Sequence, residues 1–198
     1  MRVERITIDQ HNNALLASHK RKFNFLKEEI SSVEAIVEKL QAFQIAIPSW
    51  ALGTGGTRFG RFTGTGEPST LSQKIADVGL LHALNKSSGA ISLHIPWDIP
   101  SDAQAIQEEA KSYGLAFDAV NSNTFQDQAG QALSYKYGSL HHVDPAVRKQ
   151  AIAHNIEVIK HGEALGSKAL TVWLADGSSY PGQLNFREAF QNTLSSLQ

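Results

Sequence analysis

Ala90-Ile91-Ser92-Leu93-His94-Ile95 is a short apolar run that breaks straight into Pro96-Trp97-Asp98. Its length, its branched residues and the proline behind it read as one buried strand. Three further runs have the same character: Phe43-Gln44-Ile45-Ala46-Ile47-Pro48, Leu115-Ala116-Phe117-Asp118-Ala119-Val120 and Ala169-Leu170-Thr171-Val172-Trp173-Leu174. None shows a long polar/apolar alternation, so the expectation is strands covered on both faces, as in parallel sheets.

Helical periodicity fills the spaces between these strands. Ser69-Thr70 with Gln73 opens a helix carrying Leu71, Ile75, Val78 and Leu81. Ser101 with Gln104 opens a second, which stops at Gly114. Asp144-Pro145 places a cap and then proline at the first turn of a third, which ends at Leu165-Gly166. Asn185 with Glu188 opens a fourth that carries Phe186, Phe190, Leu194 and Leu197. Ahead of the first strand, residues 1–42 read as two helices, with capping boxes expected at Thr7/Gln10 and Ser31/Glu34. The order is two helices followed by four βα units over residues 43–198. Repeated βα units give an α/β fold with a parallel sheet, either open and doubly wound or closed as a (β/α)8 TIM-barrel type.

Composition narrows the function. Lys+Arg is 18 and Asp+Glu is 19, a net charge of −1 with no block of one sign, which argues against nucleic-acid or anionic-membrane partners. Cysteine is absent, so disulfides, thiolate nucleophiles and cysteine-held metals are excluded. No run is long enough to span a bilayer and Met1 to Gln10 has no signal-peptide core, which fits a cytoplasmic protein.

In both parallel architectures ligands bind at the carboxyl ends of the strands. Ser49-Trp50 and a glycine-rich loop, Gly53 to Phe62, follow the first strand. His94 to Asp98 closes the second, Asn121-Ser122-Asn123-Thr124-Phe125 the third, and Trp173 with Asp176-Gly177 the fourth. Aromatic faces pack on the C–H faces of a sugar, and His, Asn, Asp and Ser supply directional hydrogen bonds, so the set points to a small polyol. His94 alone among these groups titrates near neutrality and is the acid–base candidate. It also fits a core histidine, and each tryptophan also fits plain packing. The glycine loop lacks the Lys-Ser/Thr ending of a P-loop. His154, Glu157 and His161 share a helix face that reads as a solvated outer stripe rather than a metal site.

Ile47-Pro48-Ser49-Trp50, Gly53-Thr54-Gly55-Gly56-Thr57-Arg58-Phe59, Ser92 to Asp98, Asn121 to Phe125, Ser134-Tyr135-Lys136-Tyr137-Gly138-Ser139-Leu140 and Gly166 to Trp173 closely resemble the broad-specificity bacterial L-rhamnose isomerases, which are xylose-isomerase-like (β/α)8 barrels. The resemblance implies a metal-dependent aldose–ketose isomerase acting on L-rhamnose and related aldoses, manganese-bound or using another divalent metal, cytoplasmic and homotetrameric. It assigns His94 a catalytic contact near the ring oxygen or C5 hydroxyl. It assigns Trp50 and Trp173 to the aromatic walls of the sugar pocket, and Phe59 to a loop that reaches a neighbouring subunit's pocket. Family members are about twice as long, and their metal ligands follow the fifth and later strands. Residues 1–198 therefore read as the N-terminal half of such a barrel, holding the sugar wall, lacking the metal ligands and inactive alone. A non-catalytic half barrel that binds sugar or pairs with another chain is the rival reading, and a nucleotide-binding open sheet is a third.

Overall fold

The computed structural model describes residues 3–53, 64–175, 177 and 182–198. Two helices, α1 (Arg5–Glu29) and α2 (Val33–Ala42), precede the first strand. The rest alternates: β1 (Ala46–Pro48), α3 (Leu71–Asn85), β2 (Ala90–Ile95), α4 (Ala103–Ser112), β3 (Ala116–Thr124), α5 (Pro145–Leu165), β4 (Leu170–Leu174) and α6 (Phe186–Leu197). The four strands form one parallel sheet in the order β1-β2-β3-β4.

That order separates the two architectures left open above. A doubly wound sheet reverses its strand order at a switch point, which sends helices to both faces. Here the order never reverses, and right-handed crossovers then lay every helix on the same face. The packing agrees. Ile91 and Leu93 of β2 are buried against Ile75 and Val78 of α3 and Ile106 and Ala110 of α4. Ile95 and Val120 are buried against Val158 of α5. The sheet is thus part of a barrel wall, clad by helices on its outside.

Strand residues alternate between faces. With Ile91, Leu93 and Ile95 turned to the helices, Ser92 and His94 lie on the opposite, inner face. The expectation of strands covered on both faces holds for β2, whose residues from Ile91 to Ile95 are all buried, with apolar residues toward the helices and polar ones inward. β4 departs from it, since Trp173 and Leu174 are both 44 % exposed.

Caps set the helix limits. Thr70 and Gln73 form the expected capping box on α3. Asp144 accepts from the Ala146 N–H with Pro145 behind it, and Asn185 accepts from the Glu188 N–H. α4 starts one residue later than expected, on Asp102, whose carboxylate accepts from the Ala105 N–H. The two N-terminal boxes are absent. α1 begins at Arg5, so Thr7 lies inside its first turn, and Ser32 caps α2 without a side-chain bond while Glu34 pairs with Lys27 at 2.5 Å. No residue of α6 is buried, and Phe186, Phe190, Leu194 and Leu197 lie exposed along it. Among the described residues no helix is long and apolar enough to cross a membrane.

Candidate functional site

His94, the fifth residue of β2, is 2 % exposed and sits at the carboxyl end of the sheet's inner face. Rings surround it. The Trp97 ring stacks on it at 3.9 Å between centroids, Trp50 meets it edge-on at 5.6 Å, and Phe125 does so at 5.8 Å. Phe125 in turn lies 5.8 Å from Trp173. Three of the four site residues expected from sequence, Trp50, His94 and Trp173, therefore share one side of the sheet. The fourth, Phe59, lies outside the described residues, as do most of the glycine loop and Asp176.

Amides hold these rings. β3 runs to Thr124, further than the expected end at Val120, because its polar residues stay in register with both neighbours: His94↔Asn121 and Ile95↔Ser122 on one side, Asn123↔Trp173 and Thr124↔Leu174 on the other. The Asn121 amide donates to the Leu93 carbonyl at 3.0 Å, and its oxygen accepts from the Trp173 indole N–H at 3.0 Å. The Thr124 hydroxyl bonds the Trp173 carbonyl. The Asn123 oxygen faces His94 Nε2 at 3.2 Å, while its amide nitrogen donates to the Gln126 carbonyl at 3.2 Å. An amide nitrogen cannot accept, so this second bond fixes which end of Asn123 meets His94.

Ser49 and Asp98, read as ligand-facing, are used otherwise. Asp98 is buried and accepts from Ser49 Oγ at 2.5 Å, Lys74 Nζ at 2.7 Å and the His94 N–H at 3.1 Å. It ties the ends of β1 and β2 to α3 and leaves Ser49 no exposure for a sugar. His154 is corrected too: it is not on a solvated stripe, because Nε2 accepts the Asn123 N–H at 3.0 Å. Both surprises had a signal in the sequence. Lys74 stands three residues after Leu71 and four before Val78, inside the apolar stripe of α3. His154 lies between the buried Ala151 and Val158 of α5 in the same way. Phe125 and Trp97, not assigned as site residues, complete the ring of aromatics.

The described residues at this surface offer no donor set that suits a divalent cation. His94 is enclosed by indole, phenyl and amide groups, Asp98 is spent on Lys74, and among the described residues no group of three or more His, Asp or Glu could hold a metal ion.

A probable sugar isomerase of Rhizobium meliloti is 53 % identical over 166 residues, which are 84 % of this chain and 39 % of that protein. One of Mesorhizobium japonicum is 46 % identical over 195 residues, 96 % of this chain and 45 % of that protein. The fold is shared with sugar epimerases. A D-allulose 3-epimerase of Methylomonas sp. superposes on 78 % of this chain and 45 % of its own at a TM-score of 0.52 and 18 % identity. An L-ribulose 3-epimerase does so on 78 % and 43 % at 0.52 and 14 % identity. No family model matches. The chain spans less than half the length of the curated relatives it matches.

Proposed function

We propose that this chain forms the carbohydrate-holding wall of an aldose–ketose isomerase that interconverts L-rhamnose and L-rhamnulose and accepts related aldoses. The observation that carries this reading is the assembly of Trp50, His94, Trp97, Phe125 and Trp173 around one strand-end surface, braced by buried asparagines. The names of the curated relatives and the epimerase fold support a sugar as ligand. The choice of L-rhamnose rests on the sequence blocks at the strand ends.

In this role the rings bury the C–H face of the sugar and exclude water from it. Asn121 holds the Trp173 indole. His94 orients a hydroxyl or moves a proton at the sugar's ring oxygen. The divalent ion that the resemblance implies does not fit the described residues.

Titration of the 198-residue chain with L-rhamnose tests the reading, followed by calorimetry and by tryptophan fluorescence. Saturable binding with a Kd on the order of millimolar is expected, worth about 4 kcal/mol. His94→Ala and Trp50→Ala should each weaken it about tenfold, about 1.4 kcal/mol. With manganese added, the chain alone should bind without turnover. Absence of any sugar response, or thermal stabilisation by a nucleotide instead, would overturn the sugar reading; turnover by the chain alone would overturn its division from the metal site.

A further inference from the structure

We propose that His154, on the helix behind the sheet, is a positioning residue that fixes the ring orientation and tautomer of His94 through Asn123. The inference rests on the sugar-wall reading only for its consequence on binding.

The geometry runs in three steps. The last registered pair between β2 and β3 is Ile95↔Ser122, so Asn123 lies past the end of β2. Its N–H is taken up by His154 Nε2 at 3.0 Å instead of a ladder carbonyl. A nitrogen that accepts carries no proton, so the neutral His154 ring holds its proton on Nδ1, which faces Glu157 Oε2 at 3.4 Å. His161 approaches the other oxygen of Glu157 at 3.9 Å, so that carboxylate is shared between two imidazoles.

The second step is the Asn123 side chain. With its backbone held by His154 and its amide nitrogen on the Gln126 carbonyl, the amide oxygen can point only at His94. The third follows: an oxygen acceptor requires a proton on His94 Nε2, which makes Nδ1 the basic nitrogen of the neutral ring. No proton passes along this chain. His154 acts by placing a backbone segment, and its own side chain meets no ring of the site among the bonds described.

Nitrogen-15 NMR of the intact chain, labelled in the histidine rings, reads both tautomers directly, with the His94 signal assigned by its loss in His94→Gln. In the native chain His154 should show an unprotonated Nε2 and His94 a protonated Nε2. His154→Gln keeps an acceptor oxygen near the same place and should preserve the His94 signature. His154→Leu removes the acceptor, and should convert His94 to a mixture of tautomers and weaken L-rhamnose roughly three- to tenfold. An unchanged His94 signal in His154→Leu, or equal disturbance by Gln and Leu, would overturn the proposal. If His154→Leu does not fold, the native spectrum still decides: a proton on His154 Nε2 refutes it. Failure of the native chain to bind L-rhamnose while the tautomers behave as stated would refute the sugar reading and leave the positioning role intact.

Discussion

Asp98 accepts three hydrogen bonds and offers nothing to the inner face, because each of its partners belongs to the frame: a hydroxyl on the turn after β1, an ammonium on α3 and the backbone of β2. The ion pair with Lys74 is almost fully buried, with side chains 3 % and 1 % exposed. Taking such a pair out of water is costly, and removing one partner costs more than removing both, since it strands a buried charge. Asp98→Asn should therefore destabilise the chain by about 3–5 kcal/mol in urea unfolding. Asp98→Asn combined with Lys74→Met should recover much of that loss, because no unpaired ammonium remains. A single variant within about 1 kcal/mol of the native chain would show that water or relaxation already covers Lys74. At this scale the sequence shows residue types but hides what they bond. Asp98 and Asn121 both follow a strand core and both read as ligands, yet only the three-dimensional partners tell a brace for the backbone from a brace for a ring.

Helix α5 is placed on the sheet by two glycines with different jobs. Gly166 ends it at φ +78°, a left-handed conformation, and the Ser167 N–H closes back on the Gly162 carbonyl at 2.9 Å. A methyl at Gly166 would meet only Gln107 at 3.4 Å, so Gly166→Ala should cost the conformational penalty, roughly 1–2 kcal/mol. At Gly162 the backbone is ordinary helix and the space is the issue. A Cβ there would stand 2.8 Å from a methyl of the buried Val120. Alanine gains about 1 kcal/mol of helix propensity over glycine, but overpacking against a stiff branched side chain costs about 1–3 kcal/mol. Gly162→Ala should thus be net destabilising by about 1 kcal/mol, and it should lift α5 and its His154 away from Asn123, seen as faster amide exchange at Asn123. Slow exchange with unchanged stability would mean that Val120 yields. Elements of this kind were largely legible beforehand: Thr70/Gln73, Asp144-Pro145, Gly114, Gly166 and Asn185 are local bonding patterns, and local patterns survive in one dimension. The end of β3 was not legible, because Asn121 to Thr124 is a polar run whose strand form depends on neighbours two βα units apart. Nor was the start of α1, most of which is exposed and which has no apolar stripe strong enough to fix its first turn.

For the whole molecule the unreversed strand order is what sends apolar residues outward to the helices and polar ones inward to the site. That division was present in Ile91-Ser92-Leu93-His94-Ile95 as a period of two, too short a stretch to read as alternation until the helices showed which side was theirs. The segment 138–142 joins several distant parts in a similar way. The Leu140 carbonyl accepts from Ser196 at 2.8 Å and the His141 carbonyl from Asn192 at 3.5 Å, both on α6. The His141 ring lies against Gly138 and Gly177, where any side-chain carbon would collide with it. Burial, and then the neighbouring His142, hold the His141 pKa below its ordinary value of 6.5. The sign follows from linkage. The unfolded chain takes up a proton at His141 more readily than the folded one, so acid favours unfolding. The contribution of a neutral, half-buried His141 is complete above pH 6.5 and is lost as the pH falls through the lower folded value. Thermal unfolding followed from about pH 7.5 down to about pH 5.5 spans the range in which histidines, rather than carboxylates, change charge. The native chain should lose stability across it, and His141→Gln, which cannot protonate there, should show a shallower slope even if it starts from a lower midpoint. Because the other histidines titrate in both chains, the difference between the two slopes isolates His141. Parallel slopes would mean that the ring gains water or a partner as it charges, so that His141 binds protons alike in the folded and unfolded chain.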